Sequence, residues 1–342
     1  MKCFSASRAI LVLALWDFAF LSSQGLGQSQ PRSNSETPRI RSRVDLVLAD
    51  TLVIDSKSAR PASGLTKEDF MIFEDGVRQQ ISHFSQDSLP LSIMILVDRG
   101  GCLDPFSDSV RQATRTALGR LKPEDEVALM AFSDDATLVH EFTQDKDRIV
   151  SAMDRLPEHE SFGGHCFNRA LDKAAQYVRS SGNPDGRRVI LMITAQTTGF
   201  AYTGPSVRDV TRTLQEAGTV VCGLLPRSIG QRLESGVYRA GTGLTSALRL
   251  GRLIDIAKLA AETGGEIFNE PADRLPDSFE ELIQHLRSRY TIGFVSTNSS
   301  RDGKYRKLRL QLSPEAENRS GKLLIRTRRG YYAVRESTGA DH

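Results

Sequence analysis

The chain has 342 residues, of which 39% are hydrophobic and 25% are charged, and its formal net charge is +3. This is an ordinary globular composition, with enough length for one large domain and a smaller one. So small a positive charge does not point to nucleic acid, and we expect no nucleic-acid partner.

The first 27 residues have the pattern of a secretory signal peptide. Lys2 and Arg8 flank the start of an apolar run from Ala9 to Phe20, and Gly25-Leu26-Gly27 supplies small residues for signal peptidase. We therefore predict a periplasmic or extracellular (secreted) protein, with residues 1–27 removed. An uncleaved anchor is the alternative. No second long apolar stretch follows, so we expect no transmembrane span after cleavage.

Two β-rich segments flank the middle of the chain. Residues 28–39 are rich in Ser, Pro and Gln and predict a flexible linker. Residues 40–88 then show short alternating strands with a turn signal at Glu74-Asp75-Gly76. Residues 298–335 are again β-rich, and 336–342 form a tail. Neither β segment has enough strands for a stable sheet alone. We predict one small β-sandwich built from both, with three tandem modules as the alternative.

Within the second β segment, Tyr305 to Leu312 alternates between apolar and polar residues, Asn318 to Gly321 predicts a turn, and Lys322 to Tyr332 predicts the last strand. Basic residues are frequent on these strands, which we expect to form a hairpin. They are Arg301, Lys304, Arg306, Lys307, Arg309, Lys322, Arg326, Arg328 and Arg329. They predict either a solvated outer face or contact with an anionic envelope surface.

Residues 89–297 alternate between strand and helix patterns. Leu91 to Val97 is a continuous apolar run ending at Asp98, which is typical of a strand buried on both faces. Leu253 to Thr263 is predicted to be helical, and Tyr290 to Val295 is predicted as the last strand of this domain. The alternation predicts a doubly wound, mostly parallel α/β sheet inserted in the sandwich.

Six short motifs follow one another along the chain. They are Gly64 to Phe70 (GLTKEDF), Glu74 to Gly76, Leu121 to Asp125, Phe162 to Gly164, Arg187 to Ile190 and Arg329 to Tyr332. With the apolar strand that ends in Asp98, they resemble the von Willebrand factor A (VWA) fold, and more closely the acidobacterial-type VWFA-related family of exported proteins. The resemblance implies a VWA/Rossmann-like α/β sheet, without indicating a particular ligand.

The resemblance also implies where a metal-ion-dependent adhesion site (MIDAS) would lie. In a metal-binding VWA domain, a D-x-S-x-S loop, a Thr and a second Asp hold Mg²⁺ through oxygen atoms. At the matching places this chain has Asp98-Arg99-Gly100-Gly101-Cys102, Gly163-Gly164-His165 and Thr194-Ala195-Gln196. Of the five oxygen ligands, only Asp98 remains. We therefore predict a degenerate MIDAS without a metal ion.

Other interpretations of these residues stay open. One interpretation is a site that holds Mg²⁺ or Mn²⁺ through Asp98. Zinc on Asp98, Cys102, His165 and Cys166 is disfavoured, because adjacent Cys and His ligate together awkwardly and the spacing matches no zinc motif. Cys102 and Cys166 are also a candidate disulfide that would join the two loops, or else two unpaired residues. Cys222, inside an apolar strand, predicts a buried free thiol.

Ligands of open α/β sheets bind at the carboxyl ends of the strands. The candidate ligand-binding edge therefore comprises Asp98, Arg99, Gly100, Cys102, Gly164, His165, Thr194 and Gln196. The Arg-bearing insertion from Pro226 to Leu250 is a second candidate contact for a partner.

These patterns predict a non-enzymatic protein-binding or scaffolding module whose partner is a protein of unknown identity. No G-x-S-x-G, P-loop or H-E-x-x-H motif supports an enzyme. One alternative is a metal-dependent VWA adhesin. Another is a thiol-dependent enzyme or redox protein that uses Cys166 and His165.

Overall fold

The computed structural model describes residues 45–157, 164–201, 204–227 and 252–335. The predicted signal peptide, linker and C-terminal tail lie outside these residues, as does nearly all of the predicted insertion. Within the described ranges, no helix is both long and apolar enough to cross a bilayer.

The described residues form strands and helices in alternation. The strands are β1 (Leu46–Asp55), β2 (Phe70–Glu74), β3 (Val77–Gln79), β4 (Ile81–Ser85), β5 (Leu91–Asp98), β6 (Glu126–Phe132), β7 (Ala136–Thr143), β8 (Arg187–Ile193), β9 (Thr198–Ala201), β10 (Thr219–Arg227), β11 (Arg252–Asp255), β12 (Ile267–Pro271), β13 (Tyr290–Val295), β14 (Tyr305–Leu312), β15 (Leu323–Thr327) and β16 (Gly330–Tyr332). The α-helices are α1 (Ser107–Leu118), α2 (Lys146–Asp154), α3 (Phe167–Tyr177), α4 (Val207–Glu216), α5 (Ile256–Thr263), α6 (Leu275–Arg287) and α7 (Pro314–Ser320).

The largest sheet has the strand order β12-β10-β8-β5-β6-β7. Its neighbouring strands are parallel except for the antiparallel β6–β7 pair. Along β5, Ile93 and Ile95 pack in the core shared with α1, α2 and α6, whereas Met94 and Leu96 pack in the core shared with α3, α4 and α5. The apolar run of β5 is therefore buried on both faces, and the predicted doubly wound α/β sheet is confirmed.

Two antiparallel sheets flank this unit, with the orders β15-β1-β13-β4 and β16-β14-β2-β3. They share one apolar core, to which Val53, Phe70, Ile292 and Leu310 belong. Strands from the two ends of the chain are direct neighbours, since β1 pairs with β15 and β2 pairs with β14. The two flanking segments thus build the antiparallel layer together, as predicted.

The assignment of Tyr290–Val295 to the α/β domain is wrong. This strand, β13, pairs with β1 and β4 in the first antiparallel sheet. Its Tyr290, Ile292 and Phe294 side chains enter the core of the antiparallel layer. A short apolar strand fits either sheet by pattern, and only its hydrogen-bonding partners distinguish them.

The predicted C-terminal hairpin forms only in part, because β16 pairs antiparallel with β14 whereas β15 pairs with β1. The single strand expected from Lys322 to Tyr332 is two strands, β15 and β16, in different sheets. The chain passes between the sheets at Arg328 and Arg329, where Arg329 N donates to Glu262 O at 3.1 Å. Of the turn expected at 318–321, residues 318–320 belong to α7 and Gly321 is its C-cap, while Ser313 caps the start of the helix by accepting from Ala316 N.

The predicted basic face does not form as one surface, because β14 and β15 lie in different sheets. In addition, Arg306 is buried and pairs with the buried Glu74 through Nη1 and Oε1 at 3.1 Å.

The helix predicted from Leu253 begins later. Residues 252–255 form β11, which pairs antiparallel with β9. The Asp255 carboxylate then accepts hydrogen bonds from Ala257 N at 2.8 Å and Lys258 N at 3.2 Å. Such an N-cap satisfies the free N–H groups of a first turn, so α5 begins at Ile256.

One carboxylate, Asp50 on β1, joins the antiparallel layer to the parallel sheet. Arg187, the first residue of β8, donates from Nε to both Asp50 oxygens at 3.0 and 2.9 Å. Arg289, which is 0% exposed and precedes β13, places Nη1 3.6 Å from Asp50 Oδ2. Two buried cations therefore share one partly buried anion at the junction.

The end of α5 fits against its neighbours without space for a side chain. Gly264 ends the helix in the left-handed region, with φ of 80°. A Cβ on Gly265 would lie 1.9 Å from Val221 O on β10. The close approach of α5 to β10 thus requires a glycine at this position.

We predict that Gly265→Ala lowers the free energy of unfolding by about 1–3 kcal/mol or more, because the added methyl group overlaps a backbone oxygen. Urea unfolding of the two proteins measures this. Gly119→Ala is the matched control, since its Cβ would lie 3.5 Å from Thr116 O, an ordinary van der Waals distance. Equal losses in the two variants would contradict the steric account.

Candidate functional site

Asp98, the last residue of β5, is the centre of the predicted site and is only 1% exposed. Thr194 follows β8 and donates from Oγ1 to Asp98 Oδ2 at 2.6 Å. Gly100 N donates to Asp98 Oδ1 at 2.9 Å. Because β5 and β8 are parallel neighbours, their carboxyl ends place these groups side by side.

His165, from the loop before α3, supplies an imidazole partner for Asp98. Its Nδ1 lies 2.9 Å from each Asp98 oxygen. Burial lowers the pKa of His165, but the hydrogen bond to Asp98 and the charges of Asp98 and Asp134 outweigh it, so the pKa lies above its ordinary value of 6.5. The geometry therefore favours an imidazolium that donates to the carboxylate.

The glycine at position 100 and the histidine at position 165 depend on one another. A Cβ on Gly100 would lie 2.5 Å from His165 Cε1 and 2.7 Å from its Nδ1. The imidazole ring thus occupies the space that a serine side chain at position 100 would need. Gly100 and His165 are 65 positions apart in the sequence, but the histidine ring fits at this place only because residue 100 has no side chain.

The thiols of Cys102 and Cys166 have different neighbours. Cys102 Sγ donates to Asp98 Oδ2 at 3.4 Å and lies 3.7 Å from Thr194 Oγ1. Cys166 Sγ lies 4.0 Å from Asp134 Oδ1. Both are free in the described chain, so the candidate disulfide is not formed.

Neither of these thiols is activated. Burial and the charge of Asp98 raise the pKa of Cys102, and burial and the charge of Asp134 raise that of Cys166. A raised pKa leaves little thiolate at neutral pH, which disfavours a nucleophilic role. Cys222 is a buried free thiol, as predicted, and burial raises its pKa to about 12.

The remaining predicted residues take different positions. Gln196 N donates to Thr194 Oγ1 at 3.1 Å, which fixes the third loop beside Asp98. Arg99 donates from its backbone N to Phe132 O at 2.7 Å, and its side chain is buried rather than offered at the edge. Gly164 is partly exposed and adjoins His165.

Asp134 is a member of the site that sequence analysis missed. It follows β6, the strand next to β5, and its Oδ1 accepts from Gly164 N at 3.0 Å. It thereby holds the loop that carries His165. The pair Asp134-Asp135 looks like a solvated turn in the sequence, but its position after a buried strand was a usable signal.

Three side chains at the site could together hold a metal ion. The ligand atoms of Asp98, Cys102 and His165 all lie within 4.8 Å of one another. A thiol and an imidazole suit a soft ion, whereas Mg²⁺ prefers oxygen atoms. Gly100 offers no side-chain ligand, so this set does not fit the Mg²⁺ site of a VWA domain.

Comparisons with solved structures return matches at low identity. An aerotolerance-related membrane protein from Bacteroides fragilis has 14% identity and a TM-score of 0.41, covering 56% of this chain and 98% of that one. BatB from Bacteroides thetaiotaomicron has 14% identity and a TM-score of 0.39, covering 57% and 97%. The PilB minor pilin from Streptococcus sanguinis has 10% identity and a TM-score of 0.43, covering 60% and 63%.

A comparison with curated proteins gives no match. The family model of the von Willebrand factor type A domain, however, matches residues 93–197, which run from β5 to the loop after β8. This range contains Asp98, His165 and Thr194 and most of the parallel sheet. Over residues 93–197 the chain therefore matches the von Willebrand factor type A domain.

Proposed function

We propose that this chain is an exported, non-enzymatic protein-interaction module that works without a divalent ion at its VWA sheet edge. The observation that carries the proposal is the His165–Asp98 pair, with Nδ1 at 2.9 Å from both carboxylate oxygens. A protonated imidazole there supplies the positive charge that a metal ion supplies in a MIDAS. The predicted signal peptide supports export.

Steric and chemical arguments support the same proposal. The ring of His165 fills the space next to Gly100, so the site is packed around the histidine. The carboxylate of Asp98 is also satisfied by Thr194, Gly100 and Cys102. With four donors in place, a buried carboxylate has no need of a cation from solution.

The loops around this pair form the proposed contact surface. Thr197 and Asp134 are exposed beside it, and Gly164 is partly exposed. VWA domains generally mediate binding between proteins, and carboxyl-edge loops on a rigid sheet are suited to it. The raised pKa values of Cys102 and Cys166 support a role other than thiol catalysis.

We expect Mg²⁺, Mn²⁺, Zn²⁺ and EDTA to leave the melting temperature of the mature chain unchanged. A bound ion at about 100 times its Kd would add about 2.7 kcal/mol, which melting detects readily. The variant Gly100→Ser/Cys102→Ser/His165→Thr/Ala195→Asp restores the oxygen ligands and is expected to gain a Mg²⁺-dependent shift. A shift of the wild type with Mg²⁺ or Mn²⁺ would favour a metal-dependent adhesin, and a shift with Zn²⁺ alone would favour an ion on Asp98, Cys102 and His165.

We expect the wild type to lose stability as the pH rises through the raised pKa of His165. The folded pKa lies above 6.5, so the stabilisation is complete at lower pH and is lost above the folded value. His165→Ala should be about 1.5–3 kcal/mol less stable at acidic pH and nearly independent of pH across this window. Urea unfolding measures both, with the exposed His83→Ala as control. An unchanged pH profile in His165→Ala would show that the pair carries no charge.

Binding itself is tested by capture from an extract of the source envelope. We expect a protein that the mature chain retains equally in EDTA and in Mg²⁺, and that Thr197→Arg at the sheet edge no longer retains. Val77→Arg, at an exposed position in the β2–β3 hairpin, is the matched control and should retain it. Loss of capture in EDTA, or equal capture by both variants, would rule out metal-free binding at this edge.

A further inference from the structure

A cavity of about 540 Å³ lies at the amino ends of the parallel strands, away from Asp98. It is lined by Arg187 and Arg188 at the start of β8 and by Thr219 and Val220 at the start of β10. Strand β1 of the antiparallel layer closes another side. Cavities of this volume are typical of sites for small organic molecules.

The inner wall carries an excess of positive charge. Asp50 lines the cavity and is shared by Arg187 and the fully buried Arg289 behind it. One carboxylate therefore stands against two guanidinium groups. The other acids that line the cavity, Asp87 and Asp185, are exposed.

Arg328, where the chain passes between the two antiparallel sheets, adds a further cation to this wall, as does the half-buried Arg188. Arg328 Nε donates to Gly330 O at 2.9 Å. Within the described part of the chain, its two Nη atoms make no hydrogen bond and it forms no salt bridge. Burial lowers the pKa of Arg328. The guanidinium is half-buried, lies over the Tyr331 ring at 5.9 Å from its centroid, and has no carboxylate partner among the described residues, so it can accept an anion from a ligand.

Two buried polar side chains reinforce this view of the wall. The hydroxyl of Thr219 and both polar atoms of the Gln215 amide have no hydrogen bond of good geometry, although the amide lies beside the Tyr305 hydroxyl. Unsatisfied buried groups are rare in folded proteins. Close packing alone does not explain why two such residues lie in the same wall of the cavity.

We propose that this cavity binds a small carboxylic acid with an apolar body. The free fork of Arg328 matches a carboxylate, which it can hold by two parallel hydrogen bonds. Leu48, Leu89 and Val220 line the same cavity and provide apolar surface for the body of the ligand. Asp50, Asp87 and Asp185 disfavour a doubly charged phosphate. This site is independent of the function proposed for the opposite edge.

The test is calorimetric titration of the mature chain with octanoate and with octanamide, which has the same body without the charge. We expect octanoate to bind and octanamide to bind about tenfold more weakly or not at all. In Arg328→Gln, the affinity for octanoate should fall by about tenfold or more. Arg309→Gln removes the same charge from an exposed position on β14 and should bind octanoate as the wild type does.

If Arg328→Gln folds poorly, a second variant still tests the proposal. Leu48 lines the cavity but is 45% exposed, so Leu48→Trp should fill the space without disturbing a core. We expect this variant to melt like the wild type and to lose octanoate binding. The proposal is overturned if octanoate fails to bind the wild type, if octanamide binds equally well, or if Arg328→Gln and Leu48→Trp both keep the wild-type affinity.

Discussion

The ion pairs of Asp50 hold the architecture together. This carboxylate lies on β1, and the arginines that it binds stand at the start of β8 and just before β13. The antiparallel layer and the parallel sheet therefore meet at one anion between two buried cations. Because removing the anion would leave both cations uncompensated in the interior, the two layers have little freedom to separate. The same arrangement leaves excess positive charge on the wall of the neighbouring cavity.

At the opposite end of the sheet, the buried charge that needs a partner is negative instead of positive. Asp98 is a buried anion, and VWA domains that bind metal compensate it with an ion from solution. Here His165 lies on the carboxylate, and Gly100 leaves room for the ring. In the function that we propose, compensation from within the chain links the site to pH, because a proton on His165 takes the role of the ion. Both ends of the sheet thus depend on how a charge at a strand terminus is balanced.

Much of the fold could be predicted because burial on two faces leaves a strong pattern. The apolar run of β5 and the alternation of β14 identified their sheets correctly. Predictions failed where the pattern fits two partners equally. Tyr290–Val295 fits a parallel or an antiparallel sheet, and the break between β15 and β16 lies where Arg329 contacts α5, far away in sequence. Local spacing holds no information about such partners.

By itself, the sequence determined the α/β class, the place of Asp98 at the end of a buried strand, and the loss of the oxygen ligands at positions 100, 102 and 165. The first two conclusions rest on short-range periodicity, whereas the third rests on the resemblance to metal-binding VWA domains. Only the tertiary structure decided that the His165 ring lies on Asp98, that Cys102 and Cys166 have separate neighbours, and that Arg328 lines a cavity without forming a salt bridge to any described residue. The physical reason is that hydrogen bonds, steric exclusion and charge compensation act over a few ångströms, between residues that folding brings together from distant parts of the chain.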